Sequence, residues 1–124
     1  VYDYTEPLDV NRMRKAAEYL CGTHDFKSFC GNKKMKKSTV RTIFRIQIKE
    51  LPGEIQIYYT GNGFLQNMVR ILTGTLIEIG DGRRTPEDVS EILEAKNRER
   101  AGYTAPACGL TLLEVIYGKM VCNK

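Results

Sequence analysis

The chain has 124 residues, 42% of them apolar, 27% charged and 9% aromatic. This is the size of one domain with a sizeable core, and the composition argues against disorder. The longest apolar run, Phe64 to Ile79, is interrupted by Gln66, Asn67, Arg70 and Glu78, which excludes a membrane span there. The net charge of +4 conceals a local excess. Lys27, Lys33, Lys34, Lys36, Lys37, Arg41, Arg45 and Lys49 fall within residues 27–49 with no acid among them, and both flanks are mildly acidic. Such a stretch is either a solvated lysine-rich loop or a segment facing a polyanion.

Val1 to Thr5 reads as the end of a strand. The chain begins with Val1 rather than Met, which points to a piece cut from something longer. Asp9 is a helix cap, Met13, Ala17, Leu20 and Cys21 share one helical face, and Gly22 is a natural stop. Residues 40–50 alternate, predicting a strand with Val40, Thr42, Phe44, Ile46 and Ile48 on one face and Arg41, Arg45, Gln47 and Lys49 on the other; Ile43 breaks the pattern. Pro52-Gly53 turns the chain into a second strand, Ile55 to Thr60, completing a hairpin with a basic outer face. After Gly61-Asn62-Gly63 a helix is expected from Phe64 to Ile79, its stripe being Leu65, Met68, Val69, Leu72, Leu76 and Ile79. Thr85-Pro86-Glu87-Asp88 opens another helix that ends in the charged run Lys96 to Arg100. One last strand, Leu110 to Tyr117, is apolar on both faces and expected to be central. The expected architecture is α+β, helices packed on one face of a mixed or antiparallel sheet, as one domain over residues 1–124.

Few chemical motifs stand out. There is no phosphate loop, no Gly-x-Ser-x-Gly elbow and no His-Glu-x-x-His. Cys21, Cys30, Cys108 and Cys122 form no Cys-x-x-Cys pair, and Cys21, His24 and Cys30, which could supply three zinc ligands, match no common finger spacing, so no metal site is expected, and the thiols are expected to be reduced, as in the cytosol. His24 and Asp25 are expected to form a hydrogen-bonded structural pair. Arg70 is the informative side chain. It lies on an otherwise apolar helix, and none of positions 66, 67, 73 and 74 is acidic, so no helical ion pair neutralises it. Gly74, one turn on, leaves room for another backbone or a ligand. A guanidinium keeps its proton, so Arg70 either meets an anion, reaches solvent or caps carbonyls of this chain.

The residues carry a resemblance. Gly22-Thr23-His24-Asp25-Phe26 with Ser28-Phe29, then Gly63-Phe64-Leu65 with Met68-Val69-Arg70, are followed by Gly74-Thr75-Leu76, Ile79-Gly80 and Pro86-Glu87-Asp88. Leu93-Glu94-Ala95-Lys96, Arg98, Ala101-Gly102, Thr104-Ala105-Pro106-Ala107 and Gly109-Leu110 complete the series. In this order they resemble the C-terminal half of the TruA family of tRNA pseudouridine synthases. The resemblance implies a cytoplasmic enzyme that isomerises uridine to pseudouridine in the anticodon arm of tRNA, without metal or cofactor, as a homodimer. It implies that an aspartate of the N-terminal half, preceded there by arginine and threonine, is the nucleophile, and a tyrosine of that half flanks the base. No Arg-Thr-Asp occurs in this chain. It also implies that Arg70 pairs with that aspartate, that Phe64, Met68, Gly109 and Leu110 line the uridine pocket, and that Lys33, Lys34, Lys36, Lys37 and Arg41 meet tRNA phosphates. The partners expected are therefore tRNA and the N-terminal half. A non-catalytic RNA-binding module on the same fold, or a purely structural dimerisation half, are the alternatives.

Overall fold

The computed structural model of the chain describes residues 2–3, 8–32, 34, 37–52, 54–106, 110–114 and 117–123; residues 2–3, 54, 110–114 and 117–123 are described by their backbone. The elements are β1 (Tyr2–Asp3), α1 (Val10–Leu20), β2 (Gly22–Asp25), β3 (Val40–Leu51), β4 (Glu54–Gly61), α2 (Met68–Gly80), α3 (Asp88–Ala95), β5 (Leu110–Glu114) and β6 (Tyr117–Asn123). Single 3-10 turns stand at Lys27–Phe29 and Arg98–Arg100. The sheet order is β1-β6-β4-β3-β2, with β5 also on β6. β1 runs parallel to β6 and the other described pairings are antiparallel, so the sheet is mixed and the fold α+β.

Local chemistry accounts for α1. The Asp9 carboxylate accepts from the Asn11 and Arg12 amides at 3.0 and 3.2 Å, satisfying two donors that the first turn leaves open. Val10, Met13, Ala16, Ala17 and Leu20 then bury one face. The Asp9 amide donates to the Gly80 carbonyl at 2.8 Å, tying the start of α1 to the end of α2.

β3 departs from simple alternation. Ile43 pairs with Gly61 and Arg45 with Thr60, so the register slips at Phe44. This bulge reverses the parity of the strand. Ile43, which breaks the sequence pattern, is buried among the helices, as is Ile48 further along. Phe44 is left 61% exposed and Val40 is exposed too, where alternation had placed them inward. Arg41, two residues before Ile43, consequently lies on the helix-bearing side, beside Gly63. Arg45, Gln47 and Lys49 keep to the outer face, with the Lys49 ammonium 4.9 Å from the centre of the Tyr58 ring.

Three further expectations change. Gly22–Asp25 is a strand against β3, Gly22 taking φ +102° as it leaves α1. α2 begins at Met68 rather than Phe64, because Asn67 adopts the left-handed conformation at φ 60° and the Met68 amide donates to the Leu65 carbonyl. The C-terminal segment makes two strands instead of one; β6, flanked by β4 on one edge and by β1 and β5 on the other, is the central one. α2 is wrapped on nearly every side, with Thr73, Gly74 and Thr75 buried alongside its apolar residues. The hydroxyls of Thr73 and Thr75 donate to the carbonyls of Val69 and Ile71, so they enter the core satisfied. α1 packs on α2 and β3, and α2 on β6. Among the described residues, no helix is long and apolar enough to cross a membrane.

Candidate active site

Arg70 occupies the first turn of α2 and is half-buried. Its Nε donates to the Ala105 carbonyl at 2.6 Å and its Nη1 to the Asn67 side-chain oxygen at 3.1 Å. The Ala105 amide in turn donates to the Arg70 carbonyl at 3.0 Å, so residue and segment grip each other at two points. Nη2 has no partner among the described residues. The ion pairs formed there, Lys15–Glu87, Arg83–Asp81 and Arg84–Glu78, leave the Arg70 charge without a carboxylate. Of the alternatives open in sequence, capping of a carbonyl of this chain is thus realised at Nε, and Nη2 stays available.

The segment that grips Arg70 is itself stitched to α2. Gly74 is where its backbone comes in: a Cβ there would collide with the Tyr103 carbonyl oxygen. Gly102 fits against α2 for the same reason, its absent Cβ facing the Thr75 backbone and the Glu78 carboxylate. The Gly102 amide donates to the Thr75 hydroxyl at 2.9 Å and the Tyr103 amide to Glu78 at 3.1 Å. Glu78 also accepts from Arg84 Nε at 3.0 Å, and Arg84 donates onward to the Arg100 and Ala101 carbonyls. Arg98 donates to the Gly102 carbonyl and the Thr104 hydroxyl; burial pulls its pKa down and the nearby Glu78 charge opposes that. Together these hydrogen bonds tie the segment to α2, which fixes Ala105 and hence the direction of the Arg70 side chain.

The other sequence-predicted residues distribute unevenly. Phe64 is half-buried at the entry to α2, packed against the core. Met68 is 0% exposed and is a core residue of this chain. Leu110 opens β5, opposite Met120, and its side chain, like the whole of Gly109, lies outside the described residues. Lys34 and Lys37 are exposed, whereas Lys33 and Lys36 lie outside the described residues. Arg41 donates to the carbonyls of Ser38 and Val40 at 2.8 Å each and stands on the side of Gly63, apart from Arg45 and Lys49. The His24–Asp25 pair does not form. His24 Nε2 donates to the Cys21 carbonyl at 2.9 Å, while Asp25 accepts from the Lys27 amide and the Thr39 hydroxyl, closing the ends of the basic segment. Asn67 and Ala105, which hold Arg70, and Glu78, which holds the Tyr103 amide, were not singled out in sequence; the visible signals were the small residues Gly74 and Gly102, which mark where a backbone packs.

A family profile described as tRNA pseudouridine synthase matches residues 16–118. The chain belongs to the tRNA pseudouridine synthase family. It is 51% identical over 111 residues to tRNA pseudouridine synthase A of Brevibacillus brevis, covering 90% of this chain and 46% of that protein. It is likewise 51% identical over 117 residues to tRNA pseudouridine synthase A 1 of Bacillus cereus, covering 94% of this chain and 47% of the relative. With tRNA pseudouridine synthase A of Bacillus subtilis the identity is 48% over 116 residues, 94% of this chain and 47% of the relative. The chain thus spans about half the length of the curated relatives it matches. Arg70 and the segment around Ala105 both fall within the residues that the family profile matches.

Proposed function

We propose that the chain is the C-terminal half of a cytoplasmic enzyme that converts uridine to pseudouridine in the anticodon arm of tRNA, completing an active site whose nucleophilic aspartate lies in the N-terminal half. The observation that carries this is Arg70, clamped through Nε and Nη1 with Nη2 open. A carboxylate meeting Nη2 gains a charge-assisted hydrogen bond, which keeps it ionised and therefore nucleophilic at neutral pH. The reaction breaks the bond from the ribose to uracil nitrogen and forms one to uracil carbon. The carbon loses a proton and the nitrogen gains one, so nothing is consumed and no cofactor is required. Phe64, Gly109 and Leu110 line the uridine pocket in this reading, and Met68 supports it from the core. A base within a stem must leave its stack to enter. Lys33, Lys34, Lys36, Lys37 and Arg41 meet phosphates, a contact that weakens with salt. The full-length protein is a homodimer in this reading.

The test is Arg70→Ala in the full-length protein. Turnover should fall about 100-fold, the usual effect of removing one preorganised donor at a reacting centre, while tRNA affinity changes less than threefold. Equal losses in both would make Arg70 a phosphate contact and favour a non-catalytic RNA-binding module. The 124-residue chain alone should form no pseudouridine in tRNA.

A further inference from the structure

A cleft of about 180 Å³ opens between the two 3-10 turns, lined by Lys27, Cys30, Asn32, Lys96, Asn97 and Arg98. At about 30 Å³ per molecule that is the space of roughly six waters, ample for a tetrahedral anion. Its lining holds three cations and two carboxamides and no carboxylate. Its walls are fixed to each other: the buried Ser28 hydroxyl donates to the Ile92 carbonyl at 2.6 Å and accepts from the Asn97 amide at 2.8 Å. Lys96 sits in the left-handed conformation at φ 49°, a place at a helix end where glycine costs least. This chain has a lysine there, and Lys96 lines the cleft.

Both walls connect to the segments that hold Arg70. The first wall continues into Gly31, whose amide donates to the Gln66 carbonyl at 2.8 Å, next to the Asn67 that binds the guanidinium. The second continues from Arg98 through Gly102 and Thr104 to Ala105. The cleft and the Arg70 site are therefore linked through these segments, and Lys34 of the basic stretch is tied to the cleft through Asn32.

We infer that this cleft binds a backbone phosphodiester of the RNA strand close to the nucleotide held at Arg70, at a place distinct from Lys33, Lys34, Lys36, Lys37 and Arg41; this rests on the tRNA reading above. Arg98 is held in place by its bonds to Gly102 and Thr104 and so presents a fixed positive charge at the wall of the cleft.

The test uses the full-length protein and a tRNA transcript, with Kd measured against salt concentration. Lys96→Gly suits the left-handed backbone and removes the charge, so folding is preserved; Lys27→Gln removes an exposed second cation. Each should weaken tRNA binding roughly three- to tenfold near 0.1 M salt and reduce the magnitude of the salt slope by about 0.7–0.9. Lys15→Gln, on α1 and paired with Glu87, serves as the remote control and should do neither. If wild type binds and modifies tRNA while Lys96→Gly and Lys27→Gln retain its Kd and salt slope, the cleft assignment is overturned and the reading of the function stands. If wild type neither binds nor modifies tRNA, both fall together.

Discussion

Replacing Gly74 by alanine sets two effects of opposite sign against each other. In an exposed helix the change stabilises by about 0.8–1 kcal/mol, since alanine loses less backbone entropy than glycine. Here the new Cβ meets the Tyr103 carbonyl oxygen, a backbone atom that cannot rotate aside. Shifting packed backbone costs about 1–3 kcal/mol. The alternative is to release the segment, losing the Gly102–Thr75, Tyr103–Glu78 and Ala105–Arg70 hydrogen bonds at about 1 kcal/mol each, together with the Arg70 side-chain bond to Ala105. Release totals about 4 kcal/mol, so the shift is the cheaper route; it falls near the upper end of its range, about 3 kcal/mol, because the overlap is with backbone, and the net is about 2 kcal/mol destabilising.

Native-state hydrogen exchange in the full-length protein reads this directly. The Gly102, Tyr103 and Ala105 amides should lose about 10–30-fold in protection, with the amides of α1 little changed. Turnover should fall with them, because Ala105 aims Arg70. Unchanged or increased protection at these three amides would mean that the segment does not pack into Gly74, and the argument for an aimed guanidinium would go with it.

Other consequences are smaller. Tyr59 donates its hydroxyl to Thr73 at 2.7 Å inside the core, while Thr73 donates to Val69; Tyr59→Phe should cost about 1 kcal/mol in urea unfolding with an unchanged m-value. Cys21 is a free thiol whose pKa is raised, chiefly by burial. The folded chain therefore holds this proton to higher pH than the unfolded one, and the stability it contributes is present below the unfolded thiol value, roughly 8.5, and declines above it. Replacing Cys21 by alanine should flatten that decline between pH 8 and 10, and alkylation of native Cys21 should be slower than that of a free thiol.

What could be read from sequence divides by whether the controlling interaction is local. Asp9 announces α1 because its acceptor and donors lie within three residues. The hairpin of β3 and β4 is legible because alternation is local, but the bulge at Phe44 depends on how β3 registers with β4, and only the misplaced Ile43 betrayed it. Phe64 and Leu65 extend the apolar pattern of α2, and nothing in their chemistry shows that Asn67 takes a left-handed turn before the helix starts. β5 and β6 read as a single strand because residues 110–117 contain none of the glycine, proline or asparagine that marks a turn. Arg70 was visible as a cation without a local counterion; its clamp was not, since Ala105 lies 35 residues away.

The clamp gives Arg70 a role that charge alone does not fill, and Arg70→Lys separates the two. A guanidinium presents donors in a rigid plane, so fixing Nε on Ala105 and Nη1 on Asn67 fixes where Nη2 points. An ammonium carries the same charge at the end of a flexible chain, with three donors that rotate together. It can reach one of these acceptors or the incoming carboxylate, but it cannot hold the first two and aim at the third. If ionisation of the partner carboxylate is all that matters, lysine should restore most of the turnover lost in Arg70→Ala. If direction matters, turnover should recover by no more than about tenfold of the roughly 100-fold loss, since one ion pair regained without its geometry returns about 1 kcal/mol, or somewhat over fivefold. Turnover of Arg70→Lys within threefold of wild type would refute the aiming role. It would leave Asn67 and Ala105 as structural acceptors that keep a half-buried cation satisfied.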